Sequence, residues 1–76
     1  MNGNKVDFYK QLVQNSLIAI RQCKQNLANA REVNDENTVA YISEHLFNAY
    51  DELVKRTELL VQEIDELKAR LENNDD

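Results

Sequence analysis

The sequence predicts an all-α chain: an antiparallel two-helix hairpin of coiled-coil character, expected to assemble into a four-helix bundle or a larger helical oligomer. Three observations carry that expectation. The 76 residues hold one Gly and no Pro, too little turn chemistry for a sandwich or barrel. Apolar residues recur every seven positions through both halves of the chain. One internal cluster of helix-breaking residues, Asn34-Asp35-Glu36-Asn37-Thr38, divides those halves.

The polar start, Met1-Asn2-Gly3-Asn4, reads as a disordered N-terminus over 1–4 and does not resemble a signal peptide. Helix 1 is expected over 5–33. Val6, Val13, Ile20 and Leu27 recur by sevens, and Tyr9, Ser16, Cys23 and Ala30 follow each by three. That second series is mostly small, which suits close approach of a neighbouring backbone. Leu12, Leu17 and Ala19 widen the stripe beyond a two-helix seam.

A turn is expected at 34–37, where Asn tolerates the left-handed conformation that ends a helix and Asn or Asp caps the next. Helix 2 is expected over 37–72, before a frayed acidic end at 73–76. Its seam reads as Val39, Leu46, Leu53, Leu60 and Leu67 with Tyr50, Thr57, Ile64 and Leu71. Phe47, Val54 and Val61 flank it on one side, Ile42 and Ala49 on the other. Asp51–Lys55, Glu52–Arg56 and Glu66–Arg70 are acid-before-base pairs at i,i+4, each worth about 0.2–0.5 kcal/mol on an exposed helix face.

Two helices side by side touch along one line and cannot enclose faces this wide. The expected oligomer interface is Val13, Leu17, Ile20, Leu27, Leu46, Phe47, Tyr50, Leu53, Leu60, Ile64 and Leu67. The expected partner is therefore a protein, either a second copy, with a dimer favoured, or another helical subunit. The function read from this is an interaction module that occupies a protein partner, as a regulator or inhibitor (a phage-type protein fits) or as a subunit of a coiled-coil assembly.

The net charge of −5 is divided unevenly. Residues 1–34 carry Lys5, Lys10, Arg21, Lys24 and Arg31 against Asp7 and Glu32, whereas residues 35–76 carry four bases against twelve acids. One reading is an RNA-binding dimer using a face of helix 1 built from Lys10, Arg21, Lys24 and Gln25. The favoured reading is pairing between the helices. Folding back near residue 35 places residues level when their numbers add to about 70. Lys24 then meets Glu44, Arg21 meets Asp51, Lys10 meets Glu58 or Glu63, and Lys5 meets Asp65. The acids of helix 2 read as a solvated face in preference to a nucleic-acid mimic.

Chemistry beyond association is not expected. His45 is the one histidine, with no ligand set around it, and it reads as a surface residue. The single Cys23 excludes a disulfide framework and reads as a small hydrophobe. Tyr41 with His45 one turn on is a weaker candidate for a partner-binding patch. No phosphate loop, Cys pair or nucleophile elbow occurs, so no enzyme, cofactor or metal is expected. No apolar run approaches the ~18 residues of a membrane span, and the expected location is cytoplasmic.

Overall fold

A computed structural model describes residues 3–74 as two α-helices, α1 over Gly3–Glu32 and α2 over Glu36–Asn74, packed antiparallel against each other. The helices form because nothing interrupts them: Ala, Leu, Glu, Gln, Lys and Arg predominate, and no Pro occurs. Gly3 and Asn4, expected in a disordered terminus, open α1, since their carbonyls serve amides four residues on. Asn73 and Asn74 extend α2 past the expected end at 72. Met1, Asn2, Asp75 and Asp76 lie outside the described residues.

The connection is shorter than the expected 34–37. Val33, Asn34 and Asp35 suffice because one residue serves both helices. Asn34 takes the left-handed conformation at φ 56°, which an Asn side chain tolerates better than most. Its N–H donates to the Arg31 carbonyl at 3.1 Å, and the Asp35 N–H donates to the Ala30 carbonyl at 3.0 Å. Those two bonds form a Schellman motif that satisfies the last carbonyls of α1. Asp35 then caps α2. Its carbonyl accepts from Val39 N–H at 2.9 Å, and its carboxylate accepts from both the Thr38 N–H at 3.2 Å and the Thr38 hydroxyl. Arg31 in the last turn of α1 and Glu36 in the first turn of α2 suit the two helix dipoles.

The core is thin. Ser16, Ile20, Leu27 and Ala30 are buried, all on the heptad stripe of α1, and Val6, Tyr9, Val13 and Cys23 on that stripe are half-buried. On α2 the Val39–Leu67 series is half-buried against α1, with Ile42, Ala49, Arg56 and Glu63 as its second row. The sequence favoured Tyr50, Thr57, Ile64 and Leu71 for that row. Those four are exposed. The helix is rotated toward its Ile42/Ala49 side, which carries Arg56 into the seam.

Candidate interaction face

Arg56 closes one side of the hairpin. Its Nη1 donates to the Leu12 carbonyl at 3.0 Å and to Ser16 Oγ at 2.9 Å, and its Nε donates to Glu52 Oε1 at 3.2 Å. The Leu12 and Ser16 acceptors belong to α1, so a residue placed by sequence on the exposed side of α2 instead crosses the seam. Long stems that cover apolar surface while the head group finds polar partners are a general property of Arg. With this arrangement no fully buried side-chain polar atom among the described residues lacks a hydrogen-bond partner.

The opposite side stays open. One residue beyond the Leu46 series, about 100° round the helix, runs a second apolar row on α2. Phe47, Val54 and Val61 recur by sevens, and Tyr50, Ile64 and Leu71 fall in the series three residues later, with Thr57 and Lys68 completing the two series. All six apolar members are exposed, Phe47 to 73% and Val61 to 51%. The row therefore has the spacing of a coiled-coil seam and no helix against it. A shallow cleft lined by Leu27, Arg31, Leu46, Phe47 and Tyr50 shows which flank of α1 adjoins it. That flank is the row Lys10, Leu17, Lys24 and Arg31, spaced by sevens.

The residues expected at an oligomer interface divide between two surfaces. Val13, Ile20, Leu27, Leu46, Leu53, Leu60 and Leu67 are used in the seam within the hairpin, buried or half-buried there. Phe47, Tyr50 and Ile64 lie on the open face, with Leu17 half-buried at its α1 edge. Val54, Val61 and Leu71 belong with them, and their seven-residue spacing was the signal for it.

Lys10, Arg21, Lys24 and Gln25 are all exposed. The cross-helix ion pairs expected for the cations do not form: among the described residues Arg56–Glu52 is the one ion pair within 4 Å. The expected Asp51–Lys55 and Glu66–Arg70 pairs are likewise unformed. The cause of the first failure is angular. Glu44, Asp51, Glu58, Asp65 and Glu72 make a row by sevens, five residues past the α1-facing series, hence about 140° round α2 and on its far edge. The levels are right, as Arg56 against Leu12 and Ser16 shows, but that row faces away from the cations. Glu63, the other acid level with Lys10, lies in the Arg56 row of the seam, whereas Lys10 is exposed on the opposite side. Gln25 belongs to a neutral polar row instead: Gln25 Nε2 donates to Asn29 Oδ1 at 3.1 Å and Gln11 Nε2 to Asn15 Oδ1 at 3.0 Å.

Elsewhere the surface offers little chemistry. Tyr41 and His45 stack edge to face with centroids 4.5 Å apart, in a shallow depression with Glu44 and Asn48. Cys23 is a free, half-buried thiol in the α1 stripe. Hydrogen bonds from the Thr38 hydroxyl and then its N–H hold the Asp35 carboxyl below the ordinary carboxylate range, as capping requires. Among the described residues no three His, Cys, Asp or Glu side chains are grouped to hold a metal, and no helix is long and apolar enough to cross a membrane.

The elongated shape, 63 × 15 × 13 Å, leaves 6044 Å² accessible. A compact monomer of 8.9 kDa exposes about 4,800 Å². Fold and face thus define an antiparallel helical hairpin with an exposed apolar row along one side. Beyond that class the chain stands alone: no family model, no curated protein and no solved structure matches it.

Proposed function

We propose that this chain is a helical protein–protein interaction module, which acts by occupying a protein partner with the open face of α2. It works either as a small regulator or inhibitor or as a subunit of a helical assembly. The observation that supports the reading is the exposed row from Phe47 to Leu71 at coiled-coil spacing. Burying one large apolar side chain is worth about 1.5–3 kcal/mol, and a core of this size supplies only about 3–5 kcal/mol. Covering the row matters as much to the molecule as its own core does.

An RNA-binding role for Lys10, Arg21 and Lys24 fits less well, because the acidic row of α2 repels phosphates approaching the same side. The test combines an apolar-surface dye with molecular mass in solution. The wild-type chain is expected to associate, or to bind dye while monomeric, and Val61→Asp is expected to abolish both with helicity unchanged. A chain that neither associates nor binds dye contradicts the reading. Nucleic acid retained at low salt, and lost on Arg21→Ala with Lys24→Ala, favours RNA instead.

A further inference from the structure

We infer that the occupant of the open face is a second copy of this chain, laid with a two-fold axis parallel to the helices. In that arrangement α1 of each copy lies across α2 of the other, and both Asn34 turns sit at the same end. The inference rests on the open-face reading and adds the partner and its orientation.

The charge rows select the partner. Within one hairpin the cations of α1 and the acids Glu44, Asp51 and Glu58 of α2 are level but on surfaces that do not meet. Turning a second hairpin about an axis parallel to the helices keeps every level and brings α1 of the partner copy over the open face of α2. Lys24 of one copy then falls level with Glu44 of the other, Arg21 with Asp51 and Lys10 with Glu58, each within about two residues or 3 Å along the axis. The level is fixed by Arg56, which spans Leu12 and Ser16. Lys stems lie over the apolar row and their ammonium groups reach the acids at its edge, while Leu17 enters the row between them. This arrangement accounts for a basic α1 and an acidic α2 that make no ion pair with each other.

The same rows reject the other two-fold arrangement. An axis across the helices stacks α1 on α1 and α2 on α2, setting cations against cations and acids against acids, which costs association free energy. The area agrees as well. The chain exposes about 1,200 Å² more than a compact monomer of its mass, and a stable interface needs about 800 Å² from each partner. Neighbouring helices remain antiparallel throughout, as in up-down bundles.

Sedimentation equilibrium, charge reversal and paired spin labels test this together. The wild-type mass is expected at twice 8.9 kDa, falling to the monomer in Val61→Asp and in Val54→Lys with helicity retained. Arg21→Glu is expected to weaken the dimer at least tenfold, Asp51→Arg likewise, and the double variant to recover most of the loss. Labels at Asn37→Cys in a Cys23→Ser background are expected within about 25 Å, given interaxial spacings of 8–10 Å. Turns at opposite ends would put them roughly 45 Å apart, the length of α1. A long label distance, or no recovery in the double variant, overturns the inferred arrangement. A monomer that binds dye overturns the second copy as occupant and leaves the open-face reading standing. A dimer unchanged by Val61→Asp and Val54→Lys overturns both.

Discussion

Arg56 on α2 donates to the Oγ of Ser16 on α1 at 2.9 Å, across a seam lined mostly by apolar side chains. Ser16 is 5% exposed, and the guanidinium that reaches it also takes the Leu12 carbonyl. This contact fixes two quantities at once: the axial register of the helices and the rotation of α2 that leaves Phe47 outside.

Replacing Arg56 by Ala is therefore expected to cost about 1.5–3 kcal/mol in urea denaturation, the range for a hydrogen bond to a charged donor. Arg56→Lys is expected to retain part of it, since an ammonium is a point donor and not a planar fork. In a double-mutant cycle Ser16→Ala and Arg56→Ala should be non-additive. Additivity would show that the two residues are neighbours without being coupled.

The buried positions should respond very differently from the open face. Ile20→Ala removes a side chain 5% exposed and is expected to cost about 2–4 kcal/mol. That is most of the stability of a chain this small. Phe47→Ala, at a side chain 73% exposed, is expected to leave the melting of the isolated hairpin within about 0.5 kcal/mol. Its effect belongs to association, so the two variants separate the core from the interface when melts are run at several protein concentrations.

Much of this division was legible in the sequence. The α1 stripe from Val6 to Ala30 is a regular heptad, and every member of it is buried or half-buried. The second row of α2 was not legible, because that helix carries overlapping candidate seams around the Leu46 series. Apolar periodicity favours Tyr50 and Ile64, whereas the structure uses Ile42, Ala49, Arg56 and Glu63. Two of those are charged, and the place of Arg56 in the seam depends on acceptors forty-odd residues away that no local pattern reveals. The ion pairs failed for a related reason. Residue number gives the level of a side chain in a hairpin, but the angle round the helix depends on the tertiary rotation.

Asn34 is the one non-glycine residue of positive φ among those described. Asn34→Gly is expected to stabilise the hairpin by about 0.5–1 kcal/mol, because glycine adopts this conformation without a Cβ conflict. Asn34→Val is expected to lower stability by at least about 1 kcal/mol. Thermal midpoints of the two variants, on either side of wild type, check the sign.

Asp35 gives the hairpin an acid-sensitive joint. Its folded carboxyl titrates below its unfolded value, so the cap's contribution is complete above the unfolded value, about 3.9, and is lost as pH falls through the folded one. Asp35→Asn keeps a capping side chain without the titration. Thermal midpoints of wild type and variant should draw together as pH falls from neutral into this window. Parallel curves would show that Thr38 does not hold the carboxylate as described.

The double use of Asp35 leaves the connection with no slack, and the fold's topology rests on a single torsion angle next to it. With Asn34 returned to a right-handed φ, the two helices would merge into one rod of about 108 Å. Ile20 and Leu27 would then find Leu46 and Leu53 only on another chain. Hairpin and rod share a sequence, a helix content and a set of apolar contacts, and differ in whether those contacts are made within one chain or between chains.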